Sequence, residues 1–369
     1  MKAISQGNNT YDIFDDSLQI YEQLPAQFYV VRFSENRGFS LVKSPEMEIK
    51  EPKVYGVHDE KVQKVMKAFT TMNRSLGVIL SGDKGIGKSL LAKMLAVASI
   101  KSGMPVIIVD TYYPGIASYI EDIEQEVMVL FDEFDKTFGT VRAKDGDASP
   151  QTQMLSLFDG ISVGKKLFVV TCNGLANLSD YLVNRPGRFH YHFRFEYPSA
   201  QEVRQYLRDK LPEKYHGEIE DVVSFSGKVN LNYDCLRAIA FELQMGSAFG
   251  EAIKDLNIIN IEKVYYIVTL KYANGFTAVN RRVQLDMFGG EERETVYLYD
   301  NNEGNFVDVE FTPTDAVFDT SMCAHVITPD KFSLDYIESY VESCKAAKAS
   351  EPECLVITRK MDKNIHYLA

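Results

Sequence analysis

Apolar and polar positions follow two different periods along this chain, and the changes between them divide it into regions. Between residues 54 and 198, short continuous apolar runs alternate with stretches of helical period. The apolar runs read LGVILSG, MPVIIVD, EVMVLFDEFD and KLFVVTCN, and the segment HYHFRFEY predicts a fifth strand. Continuous apolar strands that alternate with helices are typical of a parallel sheet covered by helices on both faces. The pattern therefore predicts an α/β fold for residues 54–198.

Three other regions have different patterns. Two β-rich runs surround a Glu-Asn-Arg-Gly turn within residues 27–49, which predicts a β-hairpin in an N-terminal region, residues 1–53. Residues 199–258 have helical periodicity throughout and predict a small helical lid. Residues 259–369 return to β-rich patterns and predict a C-terminal α+β module. In that module the segment LDYIESYVESCKAAK predicts one helix.

Composition narrows the class of protein. The 369 residues are 45% apolar and 25% charged, which is ordinary for a soluble globular chain. A net charge of −12 argues against a general affinity for nucleic acid or for an anionic membrane. No apolar run reaches the ~18 residues of a membrane span, and the first residues, MKAISQGNNTYDIFDD, contain no apolar signal core. We therefore expect a cytoplasmic protein without membrane contact, with its scattered cysteines reduced.

A glycine-rich segment separates the first apolar strand from its helix. It reads GDKGIGKS and matches the phosphate-binding pattern G-x-x-x-x-G-K-[ST]. Glycines let the backbone curl so that successive N–H groups and the helix N-terminus face an anionic phosphate. Lys88 is predicted to reach the β- and γ-phosphates of a nucleotide, and the Ser89 hydroxyl to bind Mg²⁺. The alternative is an ordinary glycine-rich turn. The predicted nucleotide-binding residues here are Gly82, Asp83, Lys84, Gly85, Ile86, Gly87, Lys88, Ser89 and Leu90.

Acidic side chains follow a second buried strand. The run VMVLF ends at Asp132 and Glu133. A carboxylate in this position can bind the Mg²⁺ hydration shell while its neighbour polarises a water molecule. We assign Asp132 to the metal and Glu133 to the attacking water. By itself a strand that ends in acidic residues is usually just a solvated strand end, but the glycine-rich loop upstream favours the functional interpretation.

Two further polar features follow along the chain. Asn173 ends the strand LFVVTCN, and its neutral amide can bond both a γ-phosphate and the attacking water. In isolation an asparagine after a strand is usually a turn former. Arg185 and Arg188 flank a Pro-Gly turn, where side chains project from the surface. An arginine that stabilises charge on a transferring phosphoryl group contributes roughly 10³–10⁵ in rate, although a lone surface arginine is usually only that.

These elements, in this order and followed by a helical segment, resemble the AAA+ ATPases over about residues 54–250. The segments RPGRF and LSLFDG are similar to the AAA subgroup. The resemblance implies a P-loop ATPase core that uses ATP and Mg²⁺, with Asn173 as the sensor 1 residue. It also implies that Arg185 and Arg188 are arginine fingers, which complete the active site of a neighbouring subunit. A finger that acts in trans implies a homo-oligomeric ring, usually a hexamer.

The resemblance extends to other positions by weaker matches. Main chain at Tyr55, Gly56 and Val57 lies where the family commonly contacts adenine. Arg237 lies where a lid-domain sensor 2 is found, although the Gly-Ala pair common at this point in the AAA subgroup is absent. The segment Tyr113-Pro-Gly matches the aromatic-x-glycine form of a pore loop that grips substrate, or else is a simple turn.

Three functions fit these observations. The first is an ATP-driven motor that threads or remodels a protein substrate, favoured by the RPGR turn, the acidic charge and the Tyr-Pro-Gly segment. The second is an AAA+ ATPase that acts on nucleic acid, in the manner of a helicase or clamp loader, through basic loop residues such as Arg142 and Lys144. The third is a scaffold whose assembly ATP controls. Fold-level resemblance alone does not choose among them.

Overall fold

The computed structural model of the chain divides into two compact units, residues Met1–Phe195 and Glu196–Ala369. The residues that the structure describes are 1–5, 11–49, 58–139, 150–159, 164–175, 178, 182, 185–258, 264–288, 292–300, 305–337, 345 and 347–360. Within these ranges the chain forms no helix that is both long enough and apolar enough to cross a bilayer. Each unit has its own sheet and its own buried core.

The first unit is built on a seven-stranded sheet in the order β4-β3-β6-β7-β8-β5-β9. All neighbours are parallel except β3 and β4. Every residue of β5, β7 and β8 is buried, as the continuous apolar runs predict. The strands of this unit are β1 Lys2–Ser5, β2 Tyr11–Phe14, β3 Phe28–Ser34, β4 Gly38–Lys43, β5 Leu76–Ser81, β6 Val106–Val109, β7 Val127–Phe131, β8 Lys166–Cys172 and β9 Tyr191–Arg194, and β1 pairs with β2 in a separate two-stranded sheet.

Helices cover both faces of the large sheet, which confirms the predicted fold class. On one face α2 packs on β7, where the Ser99 hydroxyl lies 3.3 Å from the sulfur of Met128. On the other face Phe131 contacts Phe134 and Phe158 edge to face, and all three are buried. The helices of the first unit are α1 His58–Thr71, α2 Lys88–Lys101, α3 Ile116–Glu121, α4 Phe134–Thr137, α5 Pro150–Gln153 and α6 Leu155–Phe158.

The predicted N-terminal hairpin is present and extends the sheet of the first unit. Strands β3 and β4 pair antiparallel around the turn at residues 35–37, and β3 pairs in parallel with β6. At the end of this pairing Arg32 donates two hydrogen bonds to the carboxylate of Asp110, at 2.8 and 3.2 Å. The hairpin therefore places its turn at the edge of the sheet where the parallel strands end.

The second unit begins with the predicted helical region. Its first helix starts with a capping box, in which the Ser199 hydroxyl accepts from the Glu202 amide and the Glu202 carboxylate accepts from the Ser199 amide. Arg204 joins this helix to the next through two 2.8 Å hydrogen bonds to Glu220. The helices are α7 Ala200–Lys210, α8 Ile219–Ser226, α9 Tyr233–Gln244 and α10 Phe249–Asp255, with a 3₁₀ turn at Glu213–Glu218.

The remainder of the second unit is an eight-stranded antiparallel sheet in the order β14-β15-β17-β10-β11-β12-β13-β16. Burial alternates along β10, as expected for a sheet with one face in the core. The strands are β10 Tyr265–Tyr272, β11 Thr277–Gln284, β12 Glu294–Tyr299, β13 Asn305–Phe311, β14 Val317–Asp319, β15 Ala324–Ile327, β16 Phe332–Tyr336 and β17 Pro352–Arg359.

One sequence prediction in this module is wrong at its start. The segment predicted as a helix from Leu334 begins inside β16, because residues 332–336 pair antiparallel with β13. Phe332 is buried and Leu334 and Tyr336 are partly buried, whereas the serine and aspartate between them are exposed, which is the two-residue period of a strand. Residues 338–344 and 346 of the predicted helix lie outside the described residues, and Lys345, Ala347 and Lys348 are helical, as predicted.

Candidate active site

Three neighbouring strands bring the predicted site residues to one edge of the sheet. In the order β7-β8-β5 the strands are parallel, so their carboxyl ends lie side by side. Asp132 follows β7, Asn173 follows β8, and the glycine-rich loop follows β5. Open parallel sheets bind their ligands at this edge. The site residues are therefore close in space although they are distant in the sequence.

The glycine-rich loop adopts a backbone that only glycine allows at two of its positions. Gly82 and Gly87 have φ angles of 138° and 102°. A Cβ on Gly82 would lie 2.5 Å from the carbonyl oxygen of Phe195, and one on Gly87 would lie 2.9 Å from the ring of His58. His58, at the start of α1, is buried and its Nε2 lies 3.3 Å from the Gly87 carbonyl oxygen. The sequence reasoning missed this histidine, whose ring packs against the loop at Gly87.

Lys88 connects the loop to the neighbouring strand. Its ammonium donates to the carbonyl oxygens of Gly82 and Asp83, each at 2.5 Å, and to the amide oxygen of Asn173 at 3.2 Å. Burial lowers the pKa of Lys88, while nearby groups, including Asp83 and Asp132, act in the opposite direction. The structure thus joins two residues, Lys88 and Asn173, that the sequence assigned separately to phosphate recognition.

The side chains of the two acidic residues after β7 have different partners. Thr171 of β8 donates to the Asp132 carboxylate at 2.7 Å and accepts from the Glu133 amide at 2.8 Å. Glu133 has φ 50° and ψ 47°, a left-handed conformation, and its exposed carboxylate pairs with Lys136. Asp132 is thereby held in place, whereas Glu133 faces solvent. Thr171 is a second residue that sequence reasoning missed, and its place two positions before Asn173 was the available signal.

A third carboxylate lies beneath the site. Asp135 is only 6% exposed, and its Oδ2 accepts from the backbone N–H of Asn173 at 3.2 Å. The preceding residue of β8, Cys172, is buried beside it, and burial and Asp135 together raise the pKa of the Cys172 thiol to about 12. Asp135 is the last residue of the run FDEFD, but nothing in the sequence pattern indicated that its side chain is buried.

The arginines of the Pro-Gly turn differ from each other. Arg185 is exposed, as expected. The expectation of a projecting side chain is wrong for Arg188, which is 8% exposed. Its guanidinium binds both carboxylate oxygens of Asp159 in the same chain, with the Nη2–Oδ2 distance at 2.7 Å. Asp159 lies in the segment LSLFDG, so two segments that carry the family resemblance contact each other directly.

Comparison with known proteins agrees with this geometry. Residues 78–197 match the family described as ATPase family associated with various cellular activities (AAA). The matched segment contains the loop, both acidic residues after β7, Asn173 and the arginine turn. The chain contains an AAA+ ATPase domain. This domain is an ATP hydrolase module of the P-loop class, and its family implies that it binds a nucleotide.

Relatives of the AAA+ domain are distant. The chain is 24% identical over 220 residues to "ATPase with bromodomain protein abo2" of Schizosaccharomyces pombe, covering 52% of this chain and 18% of the relative. It is 23% identical over 262 residues to the "Proteasome-associated ATPase" of Mycolicibacterium smegmatis, covering 63% of this chain and 38% of the relative. The chain thus spans less than two fifths of the length of either protein. The activity of the whole protein, its substrate and its partners are therefore matters for proposal.

The predicted pore-loop tyrosine of the AAA+ domain packs against the N-terminal hairpin. The ring of Tyr113 is 5.8 Å from that of Phe33 and 6.3 Å from that of Phe39. Tyr119 of α3 stacks on Phe39 at 4.9 Å. We call these four residues the rim cluster. Tyr113 is half-buried and Phe33 is 41% exposed, so the cluster presents aromatic surface at the carboxyl edge of the sheet.

The roles of the remaining predicted site residues stay predictions. Tyr55, Gly56 and Val57, predicted to contact adenine, lie outside the described residues, as do Arg142 and Lys144. Arg237 lies on α9 of the second unit, where it is exposed and pairs with Asp234 at 3.3 Å. Its role as sensor 2 stays a prediction.

The residues at the site fit Mg²⁺ and a nucleoside triphosphate. Hard cations such as Mg²⁺ prefer oxygen ligands, and the candidates here are the Ser89 hydroxyl and the Asp132 carboxylate, both exposed. The loop backbone and the first turn of α2 form the kind of surface that binds phosphate. The loop, Lys88 and Asp132 are thus suited to this group.

Proposed function

We propose that the chain is a ring-forming AAA+ ATPase that couples ATP hydrolysis to the remodelling or threading of a protein substrate. The observation that supports the hydrolytic part best is the contact between Lys88 and Asn173, next to the carboxylates that follow β7. The Lys88 ammonium contacts the Asn173 amide, and Thr171, two positions before Asn173, donates to the Asp132 carboxylate.

In this proposal each residue has a separate task. The loop backbone and Lys88 bind the phosphates, and Asn173 orients the attacking water toward the γ-phosphate. Glu133 polarises that water and accepts its proton, for which an exposed carboxylate whose described ion pair is with Lys136 has the freedom to move. Mg²⁺, when bound through Ser89 and Asp132, supplies positive charge to the β- and γ-phosphates. Asp132 keeps its orientation through Thr171.

Other observations support the ring and the protein substrate. Arg185 is exposed at the turn where the resemblance implies an arginine finger for a neighbouring subunit. The rim cluster offers aromatic rings at the same edge of the sheet as the nucleotide site. One relative is named for association with a proteasome, which favours a polypeptide as the substrate. A net charge of −12 is unfavourable for general binding to nucleic acid.

The test compares ATP turnover in the presence of two polymers. Purified full-length protein is assayed alone, with a permanently unfolded, alkylated protein, and with a single-stranded oligonucleotide. We expect the unfolded protein to raise turnover and Tyr113→Ala to abolish this stimulation. Tyr21→Ala is the matched control, because Tyr21 is an exposed tyrosine of the first unit outside the rim cluster, and we expect it to keep the stimulation.

Other outcomes would support the other two functions. Stimulation by the oligonucleotide alone, lost as salt increases, would indicate an ATPase that acts on nucleic acid. Turnover that neither polymer changes would favour an ATP-controlled scaffold. Full stimulation of Tyr113→Ala by the unfolded protein would remove the pore-loop assignment.

A further inference from the structure

Asp135 carries a buried negative charge that the described hydrogen bonds do not explain. Its side chain is 94% buried, since only 6% is exposed. One oxygen, Oδ2, accepts from the backbone of Asn173, and the other, Oδ1, has no hydrogen-bond partner among the described residues. Burial of a charged group without full compensation is costly. A neutral asparagine could accept the same hydrogen bond from Asn173.

The position of the charge indicates its purpose. Asp135 lies in α4, just after β7, and its carboxylate contacts the backbone at the end of β8. The residue that Asp135 holds, Asn173, in turn accepts from the ammonium of Lys88. Lys88 is itself 7% exposed, and its other described acceptors are neutral carbonyl oxygens. Burial lowers the pKa of Lys88, and the Asp135 carboxylate is one of the nearby negative charges that raise it.

We propose that Asp135 is a positioning residue for ATP hydrolysis, which holds the backbone of Asn173 through one oxygen and compensates the ammonium of Lys88 by its charge. It acts through these two residues and does not itself contact the nucleotide. The inference rests on the proposed hydrolytic function, because Asn173 and Lys88 have their roles only there.

Two substitutions separate the two contributions. Asp135→Asn keeps an oxygen that can accept from Asn173 and removes the charge, whereas Asp135→Ala removes both. We expect kcat to fall about 10-fold in Asp135→Asn and about 100-fold in Asp135→Ala, with the Kd for ATP within about threefold of wild type. Asp110→Asn is the matched control, since Asp110 also follows a strand of this sheet but pairs with Arg32 at the hairpin, and we expect its kcat to stay unchanged.

A double-mutant cycle distinguishes positioning from a merely structural role. If Asp135 acts through Asn173 and Lys88, its Ala substitution should lower kcat by only about 10-fold in the Asn173→Ala background, against about 100-fold in wild type, because only the charge compensation of Lys88 is then left to lose. Multiplicative losses in the double variant would overturn the proposal, and so would wild-type kcat in Asp135→Ala. If Asp135→Ala does not fold, Asp135→Asn is measured in the same cycle.

Measurements of nucleotide affinity distinguish a failure of this inference from a failure of the proposed function. The Kd values for ATP and ADP are measured by displacement of a fluorescent nucleotide. If the wild-type chain binds ATP but does not hydrolyse it, the proposed function fails, whereas the ratio of the two affinities still reports on Asn173. We expect Asp135→Ala to shift this ratio to that of Asn173→Ala. A ratio equal to that of wild type would contradict the inference.

Discussion

Lys88 is the residue through which the parts of the nucleotide site meet. Its ammonium contacts the backbone of its own loop, which follows β5, and the side-chain amide of Asn173, which follows β8. Removing the amino group would therefore remove both the proposed phosphate contact and the contact between the loop after β5 and Asn173 after β8. Removing the Glu133 carboxylate affects neither, because Glu133 is exposed and pairs only with Lys136 among the described ion pairs.

This difference gives a prediction for binding and turnover. Lys88→Ala should lose ATP affinity by at least about 10-fold, whereas Glu133→Gln should bind ATP as wild type and reduce kcat about 100-fold or more. Equilibrium binding of labelled ATP and steady-state release of phosphate measure the two quantities. Normal turnover in Glu133→Gln would show that another group polarises the attacking water.

Arg188 and Asp159 give a second prediction at the scale of single residues. Arg188→Ala leaves the carboxylate of Asp159 without its two hydrogen bonds, and we expect the free energy of unfolding to fall by about 1.5–3 kcal/mol. Arg185→Ala, at the exposed end of the same turn, should change it by less than about 0.5 kcal/mol. Urea denaturation of both variants measures the difference. Equal effects would indicate that burial of Arg188 does not stabilise the fold.

The same pair should make stability depend on pH. The hydrogen bond from Arg188 lowers the pKa of Asp159 below its ordinary value of 3.8. A carboxyl whose pKa is lowered by folding stabilises the protein above that value and loses the contribution as it becomes protonated. The stability difference between wild type and Arg188→Ala should therefore be full at pH 7 and shrink as the pH falls through 3.8. A difference that is constant from pH 7 to pH 3 would contradict this account.

At the scale of whole elements, Arg359 connects β17, the last described strand of the second unit, to helix α8. Arg359 of β17 donates to the carbonyl oxygens of Ser226, the last residue of α8, and Val229, at 2.9 and 2.7 Å. Burial lowers the pKa of Arg359. A positive charge at the C-terminal end of a helix is favourable because the last carbonyls carry partial negative charge.

Loss of this arginine should weaken the second unit. Arg359→Met keeps the length of the side chain but leaves both carbonyls without their donor, and we expect the free energy of unfolding of this unit to fall by about 2–3 kcal/mol. Arg293→Met is the control, because Arg293 is an exposed residue whose ion pair with Glu310 spans 3.7 Å, and such pairs contribute about 0–1 kcal/mol. Hydrogen exchange of β17 amides measures the local effect, and equal protection in both variants would argue against it.

Elements were predictable where a local pattern decided them. The continuous apolar runs predicted β5, β7 and β8, and the glycine-rich motif placed Lys88 at the start of α2. The place of the hairpin in the sheet was not predictable, because it depends on pairing between residues 28–30 and 106–108. The start of β16 was misread as a helix because its apolar spacing fits either period over so few residues, and pairing with β13 decides it.

In the candidate site, too, the residues that carry a motif were predictable and their contact partners were not. Motifs identified Lys88, Asp132 and Asn173, and the parallel order of the strands made their proximity foreseeable. The partners of these residues were not foreseeable. Thr171 and Asp135 contact them only because β7 and β8 run side by side at one particular register. The partner of Arg188 comes from a separate segment near α6, and only tertiary packing brings it there.

For the molecule as a whole, the open question is whether one site is shared between two chains. Arg188 is buried against Asp159 of its own chain, whereas Arg185 is exposed at the same turn, and we therefore choose Arg185 for the test of a contact with a neighbour. In a mixture of Glu133→Gln and Arg185→Ala chains, an Arg185→Ala chain keeps its own acidic residues and can receive an intact arginine from a Glu133→Gln neighbour.

Mixing the two inactive variants should therefore restore part of the ATP turnover. Activity is measured across mixing ratios at constant total protein, with a maximum expected near equal amounts. Wild-type protein should in addition lose specific activity on dilution, since the site is completed by association. Absence of recovery at every ratio would contradict an arginine finger that acts in trans, as would turnover per chain that dilution does not change.

The strand order of the first unit also has a consequence for how the protein is made. β5 lies between β8 and β9, where Val78 pairs with Val169 and Tyr191. Both partners leave the ribosome much later than Val78, so β5 has no strand to pair with when it is first synthesised. The glycine-rich loop stays without a sheet to support it until synthesis has passed Arg194. A nascent chain released before that point should expose the apolar sides of β5 and be a substrate for chaperones. Nucleotide affinity should appear abruptly, not gradually, as the length of the released chain increases.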